Sequence, residues 1–393
     1  MNFFLKSILL IVFIGFVIAG CSQDPASVGT KLIPGSEKFS AHDTSIIAIR
    51  DTTFKFAGVN GGGASVLVGN YSSVDASALL QFFTTIPDSL TTVHIDTVKL
   101  SLTVSYTWNT GTAPQEFIIR EVTTPWSAGT VTVDSLATLN FAPTASNSFT
   151  NKDSIAAGAV VTALVDSSLV RKWINITEDT SKARFFSIAL VTKPGLTNTG
   201  IWGFWQFGTS TPPSLKVLYS KNGVRDSLEF ISGSGTFLAT KIPFAPSGYI
   251  ETQGGISVRS KVNFNLKPIS DSIGRAIVNN ATMELTLNNQ LSQIGAGSPD
   301  SVLAFIGGSD ARPDSVSTAY FAIGYRKDAA QTTNSVYTFS VTSMAQQWIN
   351  NPSTYQGIVI RSISDQSSVD RLLFYSSKDS TRAPKLFVTY TKK

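Results

Sequence analysis

One pattern occurs twice in this 393-residue chain, and the duplication restricts the possible folds more than any single motif. In residues 336–390, Met344 and Trp348 stand at helical spacing and the segment ends in Trp348-Ile349-Asn350. A strand-like run, Tyr355–Ile360, follows, and Pro384-Lys385-Leu386-Phe387-Val388-Thr389-Tyr390 closes the stretch. In residues 161–219, Leu169 and Trp173 have the same spacing, Trp173-Ile174-Asn175 follows, and Pro213-Ser214-Leu215-Lys216-Val217-Leu218-Tyr219 closes. Pro, Leu, Val and Tyr fall at matching offsets in the two closing runs. Self-similarity over this length is the mark of a duplicated structural unit.

The repeated unit reads as strands. Val98, Leu100, Leu102, Val104, Tyr106 and Trp108 alternate with Lys99, Ser101, Thr103, Ser105 and Thr107. A period of two places one set of side chains in a core and the other in water. Ala281, Met283, Leu285 and Leu287 repeat the pattern in the second copy, and Lys261–Leu266 stands where Leu79–Phe83 stood. Only a turn or two of helix is expected per copy, so the fold class is all-β. Two tandem antiparallel β-sandwiches of jelly-roll type, each with one short helix, are the natural architecture. In each helix a Trp four residues after Leu169 or Met344 marks the face that meets a core. Trp173, Trp348, Tyr219 and Tyr390 are therefore assigned to the structural cores.

The turn Lys221-Asn222-Gly223 directly after the first closing strand marks the expected seam. The organisation read from the sequence is 1–20, a signal peptide; 21–43, a tether; 44–222, the first sandwich; and 223–393, the second. Residues 223–393 are expected to fold on their own.

At the N-terminus, Lys6 precedes an apolar run from Ile8 to Ala19 that has the shape of a signal-peptide core. It ends in Ile18-Ala19-Gly20-Cys21, which resembles the bacterial lipobox. That resemblance implies cleavage before Cys21 and lipidation of its thiol, and several acyl chains give stable anchoring. Ser22 after the cysteine is compatible with an outer-membrane lipoprotein on the periplasmic side or at the cell surface. Cys21 is the single cysteine, so no intrachain disulfide exists.

The net charge of +5 is spread along the chain without a basic stripe, which argues against nucleic acid as a partner. His42 and His94 are the two histidines, too few for a multi-histidine metal site, and both lie in strand-like segments. No nucleophile elbow is present, and Gly233-Ser234-Gly235 belongs to a glycine-serine turn. Carboxylates are few and scattered, whereas glycoside cleavage needs a facing pair. The chain is accordingly read as a non-enzyme, with a polysaccharide hydrolase or lyase as the weaker alternative. Asp310, Asp314 and Asp328 could serve a structural Ca²⁺, with no diagnostic spacing; no other cofactor is expected.

The alternating strands Ile95–Val104 and Val278–Leu287, the Pro125-Trp126-Ser127 run, the helix-Trp segments, Phe374-Tyr375-Ser376-Ser377-Lys378-Asp379 and the Pro384–Tyr390 close together resemble the DNRLRE domain. Carbohydrate-binding module family 96 belongs to that group. The resemblance implies a jelly-roll sandwich, and some members bind polysaccharides such as alginate. The second copy departs from it in lacking a counterpart of Trp126, with Ser309-Asp310-Ala311-Arg312-Pro313 in that region.

Sugar rings stack on exposed aromatic faces. Aromatic positions that the copies do not share are thus the ligand-binding candidates: Trp108, Trp126, Trp202 and Trp205. Trp202 and Trp205 are three apart and point to opposite faces of a strand, so either one is an exposed platform or both faces are covered. Trp108 is a ligand contact or a core-edge residue, and Trp126 a contact or a plug. The expected partner is a polysaccharide, favoured to be anionic by the mild positive charge; the alternative is another envelope protein.

Overall fold

The computed structural model describes residues 40–392 apart from 56–59, 61, 84–85, 87–89, 111–114, 143–146, 152–154, 179–185, 197–199, 242–245, 268, 270–275, 309–315, 328–332 and 353–354. The chain is all-β and antiparallel. Its first ten strands are β1 (Ser40–Lys55), β2 (Ser65–Tyr71), β3 (Val74–Phe83), β4 (His94–Trp108), β5 (Gln115–Glu121), β6 (Asn147–Asn151), β7 (Val160–Val165), β8 (Phe186–Thr192), β9 (Gly200–Trp205) and β10 (Ser214–Lys221). Helix α1 (Ser167–Glu178) lies between β7 and β8. The next ten are β11 (Val224–Lys241), β12 (Tyr249–Gln253), β13 (Val258–Phe264), β14 (Ile277–Asn288), β15 (Ser301–Gly307), β16 (Val316–Arg326), β17 (Asn334–Ser340), β18 (Ile358–Ser362), β19 (Arg371–Tyr375) and β20 (Lys385–Lys392). Helix α2 (Thr342–Asn350) again falls between the seventh and eighth strands.

The two sets of pairings mirror one another. β4 joins β7, β9 and β10, and β14 joins β17, β19 and β20. β8 lies between β3 and β5, and β18 between β13 and β15. Residues can therefore be matched by register: Leu79 pairs with Ala189 as Lys261 pairs with Val359.

The first strand of each copy breaks the tandem order. Ser40–Ile47 of β1 pair with β20, and Ala48–Lys55 then pair with β13, both in the second copy. Val224–Ile231 of β11 pair with β10, and Ile231–Lys241 with β3, both in the first. Each copy thus donates its opening strand to the other. The expected seam at Lys221-Asn222-Gly223 is instead a tight hairpin turn between β10 and β11, with both central residues at positive φ (50° and 79°). The first unit is 65–241; the second is 249–392 completed by β1. The expected division at 222/223 cuts through the first unit, and a segment beginning at 44 assigns β1 to the wrong one.

Because β1 and β11 change partners half-way, each unit forms one hydrogen-bonded path that returns on itself. In the second unit the ring runs β1-β20-β14-β17-β16-β15-β18-β13 and back to β1; in the first it runs β11-β10-β4-β9-β2-β3 and back to β11. Val98, Leu100, Leu102 and Val104 fill one core with Trp173 and Trp202, and Met283, Leu285 and Leu287 the other with Trp348. Tyr219 and Tyr390 are half-buried against these cores.

A third apolar cluster, with Leu67, Tyr106, Trp108 and Phe237 from one unit and Ile256, Val258 and Val369 from the other, joins the two. Polar groups reinforce it. Thr107 and Ala296 exchange backbone hydrogen bonds (3.1 and 2.8 Å), and Asn60 Nδ2 donates to Phe237 O and Gly255 O. Buried Lys241 pairs with Glu251, which also accepts from Arg371 (3.1 Å). Gly295 has to be glycine, since a Cβ there would lie 2.3 Å from the Tyr106 ring.

Candidate functional site

The four tryptophans expected to meet ligand are not equivalent in the structure. Trp108 is buried between the units with its ring edge-on to Tyr71 (5.1 Å). Trp202 is buried in the first core. Trp126 is buried on the outer face of the first sheet, where its Nε1 donates to Ser187 Oγ (2.8 Å). These three are packing residues, because covering their large apolar area is worth more than exposing it. Trp173 and Trp348 are fully buried.

Trp205 remains. It is half-buried at the end of β9 and lines a crevice of about 200 Å³ between the units. Tyr106, Ser65 and Ser105 form the first-unit wall with it; Ser298, Ile363 and Ser364 lie opposite. Hydroxyls are abundant here: Ser65 and Ser105 bond each other (2.7 Å), as do Ser298 and Ser364 (3.2 Å). Beneath them buried Asp370 accepts from Tyr106 Oη (3.0 Å), Gly295 N (2.7 Å) and Ser298 Oγ. Desolvation pushes the Asp370 carboxyl above its ordinary pKa, and these donors oppose that rise.

Ile363, which lines the crevice, directly follows β18 and lies beside β15. Ile363 N donates to Ser301 O, and Ser301 pairs with Tyr325. On the outer face of this sheet Tyr325 is 62% and Phe321 55% exposed, far above what large aromatics usually show. Phe321 stacks on Phe305 (centroids 6.1 Å apart), and the Arg361 guanidinium lies 4.6 Å from the Phe305 centroid. Asp365, the carboxylate near Arg361, is paired with Arg259 (2.9 Å). A row of exposed rings beside a cation and a hydroxyl-lined crevice can stack sugar rings and bind their oxygens.

The same face of the first unit is covered. Ile118, Val191 and Leu79 occupy the register positions of Leu303, Arg361 and Lys261. The connection 122–142 folds across them, bringing Val122, Trp126, Val131 and Leu139 against Leu79 and Ala189. In the second unit the segment between β15 and β16 is shorter, residues 308–315.

Phe321, Tyr325, Arg361 and the crevice serines were not singled out from the sequence. The period-two run Phe321-Ala322-Ile323-Gly324-Tyr325 carried part of the signal, but alternation alone does not say which of its faces stays exposed. Cys21, Asp310, Asp314 and Asp328 lie outside the described residues. Among the described residues no three His, Cys, Asp or Glu side chains converge as a metal site. No helix of the described residues is long and apolar enough to cross a membrane. No family model matches the chain, and no curated protein matches it.

Proposed function

We propose that this is a lipid-anchored, non-catalytic envelope protein that binds polysaccharide, favoured to be anionic, along the Trp205 crevice and the Phe321/Tyr325 face. In this reading each unit is a jelly-roll sandwich similar to the DNRLRE domain, and Cys21 carries the lipid that holds the protein at the outer membrane. The observation that supports it is the exposed pair Phe321 and Tyr325 on the sheet face that carries Arg361, together with the crevice where Trp205 meets serine hydroxyls. Tyr325 and Phe321 are four residues apart on one strand, about 13 Å, which spans several sugar rings of an extended chain.

The test is affinity electrophoresis of the full chain in gels carrying alginate or a neutral glucan. Retardation is expected in at least one, and Trp205→Ala and Phe321→Ala should each weaken it about three- to tenfold. Mobility unchanged in both gels turns the reading to an envelope protein as the partner of the same face. In the same preparation Cys21→Ala should move the protein out of the detergent phase; continued partitioning refutes the anchor.

A further inference from the structure

Arg361 is a cation that the fold does not require. It stands on the outer face of β18 opposite Leu303 of β15. Leu303 is in turn opposite Ile323 of β16, midway along the strand between Phe321 and Tyr325. At the matching register position the first unit has Val191, packed against the apolar layer that holds Trp126. A charge where the same topology accepts valine needs a reason beyond the packing of the strands.

The surroundings of Arg361 leave its charge largely uncompensated. Among the described residues no carboxylate lies within ion-pair distance of it, and Asp365, whose charge favours the cation, is bonded to Arg259. Desolvation foremost, and then the positive charge of Arg259, hold the guanidinium below the usual arginine range, and Asp365 opposes them. Arg361 is half-buried, so water and salt screen it less than they screen a surface lysine. An anion arriving beside such a group gains a charge-assisted hydrogen bond of the stronger kind.

The ring next to it sets the body of the ligand. The guanidinium covers Phe305, and Phe305 stacks on exposed Phe321, so a single ring separates the cation from the aromatic surface that solvent reaches. An acidic sugar offers a C–H-rich face to a ring and an oxyanion at its rim, and the planar fork of a guanidinium fits such oxyanions. We infer that Arg361 makes the Phe321/Tyr325 face selective for acidic glycans, binding the carboxylate or sulfate of a sugar stacked on Phe321, a selectivity that rests on the polysaccharide reading of this face.

The test is affinity electrophoresis of the full chain in gels carrying polygalacturonate, dextran sulfate or neutral dextran. The two acidic polymers separate a carboxylate from a sulfate ester. At least one of them should hold the protein about tenfold more tightly than dextran does. Arg361→Met keeps an apolar stem over Phe305 and removes the charge. It should weaken retention by the acidic polymer about tenfold and leave dextran retention and the Tm unchanged. Arg361→Lys, which keeps the charge, should lose less than Arg361→Met. Lys216→Met removes the same net charge from an exposed position on β10 and should lose less than about twofold. The inference is overturned if dextran is held as tightly as both acidic polymers, or if Arg361→Met loses no more than Lys216→Met; either result leaves polysaccharide binding standing. Equal losses on dextran and on the acidic polymers in Arg361→Met also overturn it, making Arg361 a support for Phe305. Unchanged mobility in all three gels removes the polysaccharide reading and the selectivity with it.

Discussion

Trp173 and Trp348 hold the same place in two units of the same topology, yet one is enclosed by three phenylalanines and the other borders a cavity. The outer faces differ in the same direction, covered by Trp126 and its neighbours in the first unit and open at Phe321 and Tyr325 in the second. The two units share their strand pairings, and moving a strand by one residue would turn its whole apolar set outwards. Side chains away from those pairings differ between the units. The first unit is the more densely covered of the two, and the second leaves aromatic rings exposed.

The largest expected effect breaks this comparison at its seam. Deleting residues 40–55 removes β1, leaving β20 and β13 with unpaired edges and the second ring open. The second unit should lose cooperative unfolding while the first, which keeps β11, retains it. Residues 223–393 alone should fail in the same way, lacking β1 and carrying β11 without β10 and β3. Two calorimetric transitions reduced to one would establish the exchange; an unchanged second transition would show that β1 is dispensable. The asymmetry in burial sharpens the point. In β1 only Ala48 is buried, whereas β11 buries Phe230, Ser232 and Gly235–Ala239. β1 is held mainly by its backbone hydrogen bonds, and a synthetic 40–55 peptide should restore the lost transition.

Much of the architecture was legible in the sequence. The alternation in Val98–Trp108 and Ala281–Leu287 specified β4 and β14, and the Leu169/Trp173 and Met344/Trp348 pairs specified both helices and their buried faces. The exchange was not legible, because the Asn222-Gly223 dipeptide signals a turn and says nothing about which sheet the next strand joins. Pairing choice is a non-local property, settled by which edges are open when the strand arrives. Residue type made candidates of four tryptophans, Trp202 and Trp205 with the alternative that both faces of their strand are covered, Trp108 with a core-edge alternative and Trp126 with that of a plug. The packing alternative holds for Trp108, Trp126 and Trp202, and type does not reveal whether a neighbouring unit or the connection 122–142 covers a face. Trp205 alone of the four is partly exposed.

The covered and open faces predict opposite responses to truncation. Trp126→Ala removes a buried ring and leaves Ser187 Oγ without its donor, and should cost the first transition about 3–4 kcal/mol. Phe321→Ala, on the open face, should change stability by less than about 1 kcal/mol while weakening retention in polysaccharide gels. Similar losses from both would mean that Phe321 is a packing residue and that its face is not free.

The smallest effect concerns pH and separates the closing turns. Asp379 accepts from the backbone N–H groups of Arg382 (2.7 Å) and Thr381 (3.0 Å), and from the Arg382 guanidinium (3.0 Å). That guanidinium lies over the Tyr375 ring at 3.8 Å. These donors, the Arg382 backbone N–H foremost, hold the Asp379 carboxyl down at about 2. In an unfolded chain the group titrates near about 3.9. A depressed folded pKa means that the contribution is complete above the unfolded value and is lost as pH falls from about 4 through about 2. The matching stretch of the first unit, Gly208-Thr209-Ser210-Thr211-Pro212, carries no carboxylate. Acid should therefore loosen the turn before β20 and spare the turn before β10. Protection of the Thr381 and Arg382 amides from hydrogen exchange, taken relative to the unfolded chain at the same pH, should fall over that interval in the native protein. In Asp379→Asn, which keeps an acceptor but no charge, that protection should be lower at neutral pH and nearly constant across the same range. Equal acid sensitivity in the variant would assign the loosening to another carboxylate.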